Sequence, residues 1–337
     1  MSTVRIGTRA SRLALTQTGH VADALARLGG FAVDTVHVRT EGDRLTGSLA
    51  SLGGTGVFVT ALRDALLDGR CDVAVHSLKD LPTTPAPGLT VAAVPLREDP
   101  RDVLCARDGL TLAGLPAGAR VGTGSPRRAA QLLAARPDLE VVDIRGNVDT
   151  RLGRVAGSSG PGDLDAVVLA RAGLARLGRL DAVTEALDPG VMLPAPGQGA
   201  LAVEVRSADL VTPPTPVLAA LATALAALDD RPTRLAVAAE RALLARLEAG
   251  CAAPVGALAR VDGTRLDVEA VVARTDGTGS LRRGVSVASS DGTLLTQEAA
   301  AQAGTDLADL LLKDGAADLA PLGPTTGRPD PSPEGPR

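Results

Sequence analysis

Two lysines, Lys79 and Lys313, stand in a chain that otherwise takes nearly all its positive charge from arginine. Lys79 precedes Asp80 within CDVAVHSLKDLP (71–82), where a short Val/Ala run from Asp72 to Val75 gives way to His76, Ser77, Lys79 and Asp80. Such a run predicts a buried parallel strand, and in open α/β sheets the C-terminal strand edge is where ligands bind. A lysine kept beside an aspartate in so arginine-rich a chain suits a site that wants a compact ammonium rather than a planar fork. A surface Lys–Asp pair would leave the same residues in place.

The arginines repeat the theme. Arg9 falls in the turn between the strand Val4–Gly7 and a helix with apolar residues at Leu13, Val21, Leu25 and Leu28, with Ser11 at its N-cap. Ser125 and Pro126 make a strong helix start, yet Arg127 and Arg128 occupy its first turn, where the helix dipole disfavours positive charge by roughly 0.3–1 kcal/mol each. An anion at that helix end would turn the repulsion into attraction. Arg145 at a strand end, Arg151 one turn into the next helix and Arg176 beyond a third strand extend the pattern. Solvated arginines would read alike, but together they describe a cleft for several carboxylates. Cys251 sits on a loop, whereas Cys71 and Cys105 lie in apolar strand-like runs, so Cys251 is the candidate for covalent chemistry.

The elements that must position these groups fall into three units. Strand and helix alternate up to Val94 and again from Arg120 to Ala170, predicting two doubly wound α/β domains, with hinges at 95–101 and 193–199. The first is expected to take 1–95 with 197–212, the second 96–196. From 213 to 320 the pattern changes to two Ala/Leu-rich helices, Val217–Leu228 and Thr233–Leu247, the second stopped by Gly250. Three strands at Val255–Val261, Leu266–Val272 and Leu281–Val287 follow, joined by Asp-Gly turns, with a helix at 297–312. That predicts a smaller α+β domain with a three-stranded antiparallel sheet. Thr40–Gly56, rich in glycine and hydroxyls, reads as a lid and lacks the lysine of a P-loop. Residues 321–337 read as a disordered tail.

At 337 residues and 45% hydrophobic content the chain can bury a core in each unit. A net charge of -4 and two aromatics, Phe31 and Phe58, exclude a general nucleic-acid binder. The apolar runs are too short for a signal-peptide core or a membrane span, which predicts a cytoplasmic location. The cysteines have no zinc or disulfide spacing. A polycarboxylate-binding protein, a transferase with a transient thiol nucleophile and a carboxylate-handling enzyme all fit these features.

Seven stretches, RIGTRASRLAL, VAVHSLKDLP, REDPRD, VGTGSPRR, RGNVDTRL, LPAPGQGAL and RLEAGCAAPVG, together resemble the porphobilinogen deaminase (hydroxymethylbilane synthase) family over Val4 to Leu312. The resemblance implies two periplasmic-binding-protein-like domains, a third α+β domain, and a dipyrromethane cofactor joined by a thioether to Cys251. It implies that four porphobilinogen molecules are deaminated and added in turn, by a monomer without metal, before hydrolysis releases the linear tetrapyrrole. Asp80 matches the catalytic carboxylate, which should be buried beside the cation it stabilises. Lys79, Ser125, Arg127 and Arg128 match cofactor ligands, and Arg9, Ser11, Gln17, Arg145, Arg151 and Arg176 match positions that handle substrate carboxylates. The chain departs from the family at Arg12, where proline is common, and at Gly124, where a hydroxyl residue is common. It also has Ser51 and Thr55 where some relatives carry lid lysines.

Overall fold

A computed structural model describes residues 3–38, 56–249, 253–289 and 294–322. The lid expected before Gly56, Gly250, Cys251 and the tail from 323 lie outside the described residues.

The first run of elements is β1 (Thr3–Thr8), α1 (Arg12–Gly29), β2 (Ala32–His37), α2 (Gly56–Leu67), β3 (Val73–Ser77) and β4 (Leu89–Ala93). The chain then crosses to β5 (Asp102–Ala106), β6 (Arg120–Gly122), α3 (Pro126–Ala135), β7 (Glu140–Val142), α4 (Val148–Leu152), β8 (Ala166–Ala170), α5 (Arg171–Arg176) and β9 (Glu185–Ala186). It returns to β10 (Leu201–Arg206), α6 (Ser207–Val211) and α7 (Pro216–Leu228), and ends in α8 (Arg231–Arg246), β11 (Val255–Asp262), β12 (Arg265–Ala273), β13 (Ser280–Ala288) and α9 (Gln297–Lys313).

Both five-stranded sheets share one plan, β2-β1-β3-β10-β4 and β7-β6-β8-β5-β9. In each, the first three strands are parallel and the fourth is antiparallel to both its neighbours. That reversed strand is in each case the one entered from a crossover: β5 opens the second sheet, and β10 returns to complete the first. Helices cover both faces, as an α/β layer requires. On the first sheet, Val21, Leu25, Leu218, Leu221 and Leu225 pack over one face, while Leu62 and Leu66 lie on the other.

The prolines at 213–216 predict that the chain joins the third unit there, but packing puts α7 with the first sheet. Its Leu218, Leu221, Ala224 and Leu225 bury against Val4, Ile6 and Val203, each fully buried leucine contributing roughly 1.5–3 kcal/mol. The third unit's core begins only at α8. Helix α8 closes at Leu247, where the sequence places its end, with Glu248 in the left-handed region at φ 49.

The two crossovers run side by side. Gly199 has φ 89, and a Cβ there would lie 2.4 Å from the Glu98 carbonyl oxygen, so only glycine lets the strands of chain pass this closely.

In the third unit, α8 and α9 cover one face of the β11-β12-β13 sheet. The two helices meet at Gly304, where a Cβ would sit 2.0 Å from the Ala239 carbonyl oxygen. Gly304→Ala should therefore lose about 1–3 kcal/mol from overpacking, despite alanine's better helix propensity. Gly19 in α1 has nothing within 4 Å of the added carbon, and Gly19→Ala should gain up to about 1 kcal/mol. Urea midpoints moving in opposite directions would bear this out; an unchanged Gly304→Ala would contradict it.

Candidate active site

The turn that carries Lys79 and Asp80 forms where β3 ends. Leu78 N–H still donates to Ala200 O at 3.0 Å, and Leu81 N–H closes a single 3-10 turn on Leu78 O at 3.1 Å. Leu78 and Leu81 are buried with Val94, Ala202 and Val237, which leaves Lys79 partly exposed and Asp80 exposed. Pro82 has no N–H with which to continue the turn. The family resemblance leads one to expect a buried Asp80, but its carboxylate is open to solvent, because the turn's inward positions belong to the leucines.

Lys79 Nζ lies 3.4 Å from Gln198 Oε1 on the second crossover. Gln198 Nε2 donates onward to Pro100 O at 2.8 Å and to Asp102 Oδ1 at 2.9 Å. Asp102 opens β5, is wholly buried, and accepts from Arg127 Nη1 at 2.7 Å and from Arg128 Nε and Nη2 at 3.0 and 2.8 Å. Arg127 Nη1 also reaches Leu193 O, and Arg128 Nη1 reaches Val168 O. The anion that answers the two misplaced arginines is thus first of all the protein's own. Burial alone would raise the Asp102 carboxyl, but Arg127, Arg128 and Gln198 outweigh it and hold the group far below the usual carboxylate range.

Arg127 makes both its bonds through Nη1, so its Nε and Nη2 donors stay available to a ligand. Ser125 is at the N-cap of α3 but makes no side-chain cap bond, leaving its hydroxyl for another partner. Arg151, held to Gly146 O at 2.9 Å, lies near enough to Arg128 and Arg145 that burial and then their charge lower its pKa. Arg145 itself is exposed beside Asp143. Ser125, Arg127, Arg128, Arg145 and Arg151 therefore share the edge of the second sheet.

On the first sheet, Ser11 caps α1 through Ala14 N–H, and buried Gln17 exchanges hydrogen bonds with Ser77 at the end of β3. Arg9 occupies the β1–α1 turn and is partly exposed. Arg12, which replaces the common proline, pairs at 3.3 Å with Asp149 of α4, from the first unit to the second. Arg176 stands apart. Its Nη2 donates to Gly199 O at 2.6 Å, and it lines a cavity of 630 Å³ behind the crossovers with His20, Arg27, Arg97, Glu98 and Leu228.

His76 belongs to the sheet interior, with Nε2 3.1 Å from Glu204 beside Arg63. Gly124 has a steric reason: a Cβ there would lie 2.6 Å from the Ile144 carbonyl oxygen. Sequence reasoning missed Asp102, Gln198, Arg97 and Glu240 as side chains, although three of them lie inside REDPRD and LPAPGQG. An acid opening the apolar run DVLCA was the available signal for Asp102, since a buried charge demands a partner.

Lys79 is the group whose titration reports this environment. Burial lowers its ammonium from 10.5 to about 8, only partly offset by Asp80 and Asp102. Because the folded value lies below the unfolded one, the charged form costs stability, and that cost fades as pH rises from about 8 towards 10.5. Competitive acetylation, read by mass on the two lysine peptides, should show Lys79 reactivity half-risen near pH 8. A rise beginning only above about 10, where an ordinary lysine titrates, would contradict it.

Comparison with known proteins identifies the family. The family model described as porphobilinogen deaminase, dipyromethane cofactor binding domain, matches residues 4–212, and that of the C-terminal domain matches 234–313. Porphobilinogen deaminase of Micrococcus luteus is 61% identical over 311 residues, covering 85% of this chain and 82% of its own. That of Cutibacterium acnes is 58% identical over 334 residues (96% and 98%), and that of Leifsonia xyli 57% over 320 (95% and 94%). With both sheets, both crossovers and the third unit falling within matched sequence, the chain belongs to the porphobilinogen deaminase family.

Proposed function

We propose that Asp80 is the catalytic carboxylate of this chain, that Lys79, Ser125, Arg127 and Arg128 hold the cofactor's carboxylates, and that Cys251 carries the cofactor as a thioether. Arg9, Ser11, Gln17, Arg145, Arg151 and Arg176 receive the acetate and propionate groups of substrate and growing chain. The reaction is that of the family: porphobilinogen units are deaminated and joined head to tail, and hydroxymethylbilane is released.

One observation carries the assignment of Asp80. In a site where Asp102 is consumed by two arginines, Asp80 is the neighbouring carboxylate with no hydrogen bond or ion pair among the described residues. No hydrogen bond among the described residues holds its carboxylate back from a substrate cation, although its charge also acts on the neighbouring Lys79 ammonium. As the aminomethyl C–N bond of porphobilinogen breaks and ammonia leaves, positive charge develops on the pyrrole, and a fixed carboxylate favours that state over the ground state. The donor set fits a dipyrromethane, whose acetates and propionates match the available guanidinium donors and one ammonium. When bound, that group supplies the chain end to which units are added. Ser77 restrains Gln17, and Gln198 restrains Lys79, so these polar groups are oriented before substrate arrives. No helix among the described residues is long and apolar enough to cross a membrane. A monomer in the cytoplasm completes the proposal.

Purified protein should carry one added dipyrromethane by intact mass, lost in Cys251→Ser and kept in Cys71→Ser and Cys105→Ser. Retention of the adduct in Cys251→Ser would refute the attachment. Asp80→Asn should stay folded and loaded while turnover per loaded molecule falls at least ~10²-fold, the scale of one preorganised electrostatic group. Lys79→Gln should lower cofactor content more than it lowers turnover per loaded molecule. Near-normal turnover in Asp80→Asn would remove it from the chemistry.

A further inference from the structure

Helix α8 presents different stripes to different partners. Leu235, Ala236, Ala239, Leu243 and Leu247 bury into the third unit's core. Thr233, Arg234, Val237, Glu240 and Arg241 recur at helical spacing on the side turned to the first sheet and the crossovers. Thr233 Oγ1 accepts from Arg97 N–H at 3.1 Å, and Val237 packs with Leu78 and Leu81. Wholly buried Glu240 accepts from Arg97 Nη1 and Nη2 at 2.7 and 3.0 Å, from Gly197 N–H at 2.6 Å and from Ala259 N–H at 2.8 Å.

Arg241 reaches the turn that carries Lys79 and Asp80. Its Nη1 donates to Leu81 O at 2.8 Å and more weakly to Leu78 O at 3.4 Å, and its Nη2 donates to Pro82 O at 2.6 Å. A single 3-10 turn leaves its last carbonyls without helical partners. A planar fork satisfies two adjacent carbonyls at fixed separation, which an ammonium cannot do.

We propose that Arg241 is a positioning residue for the reaction: from the third unit's helix it fixes the backbone of residues 78–82, and so the place where Asp80 presents its carboxylate. The inference rests on the reading of Asp80 as the catalytic group. Arg241 acts through the turn's carbonyls. Because α8 also leads towards Cys251, one side chain ties the unit bearing the attachment cysteine to the turn bearing the carboxylate.

Arg234 supplies the control, since it is also an α8 arginine on first-unit carbonyls, those of Val91 and Ala92, but away from the turn. In the loaded full-length enzyme, Arg241→Gln should lower kcat roughly 10- to 100-fold, the scale of a small misplacement, with KM for porphobilinogen little changed. Arg241→Lys should recover part of the loss, and Arg234→Gln should lower the Tm without lowering kcat. In an Asp80→Asn background, Arg241→Gln should add little further loss, as expected for two groups acting as a unit. Equal kcat for Arg241→Gln and Arg234→Gln, or a fully additive loss in the double variant, would overturn the proposal. If Arg241→Gln does not fold, Arg241→Lys decides: reduced kcat at normal KM supports the role, and wild-type kcat overturns it. Near-normal turnover of Asp80→Asn alone would instead remove the reading on which the inference rests, and separates the two failures.

Discussion

A carboxylate with no exposure to water, Asp102, holds two buried guanidinium groups at the first turn of α3, and the site is built outward from that contact. Each charge alone would be costly to bury, and the helix dipole adds to the cost for the arginines. Together with the carbonyls of Leu193 and Val168 and the amide of Gln198, they form a satisfied network. Its value is less in net stability than in geometry: both arginines are held in one orientation at a sheet edge, and Arg127 keeps Nε and Nη2 to spare. Gln198 carries the same order across to Lys79, so the cationic edge of the second unit and the Lys79–Asp80 turn of the first are registered through one glutamine.

That registration depends on the crossovers, which are clamped from the third unit. Arg97 on one crossover donates to Gln198 O on the other at 2.8 Å, and Glu240 holds Arg97 and Gly197 together. A buried Arg–Glu pair is a weak source of stability, but breaking it strands a charge. The third unit's helix α8 sets how the two crossovers lie and supports the turn between Leu78 and Pro82.

Much of this was legible in the residues. Alternating strand and helix patterns located nearly every element, and the helix start at Ser125–Pro126 with arginines behind it marked a place where local preference was overruled. The identity of the overruling anion was not legible, because Asp102 lies 25 residues from Arg127 in the chain and meets it only through sheet order. The same limit hid Glu240 and Arg241, whose partners in Gly197 and the 78–82 turn lie 43 and 159–163 residues away in the chain. Proline punctuation misassigned α7, since a break in the chain marks a turn and says nothing of which core the next helix joins. Exposure of Asp80 was equally beyond pattern, as a three-residue turn has no period to read.

The charge of Asp102, and not merely its shape, holds the arginine pair. Asp102→Asn keeps the size and some hydrogen bonding but deletes the charge, leaving two buried guanidinium groups uncompensated. Urea unfolding of this variant beside the wild type, followed by far-ultraviolet circular dichroism, tests it directly. The expected result is a loss of about 3–5 kcal/mol, as for one partner removed from a buried ion pair. An unfolding curve that superimposes on that of the wild type would contradict it.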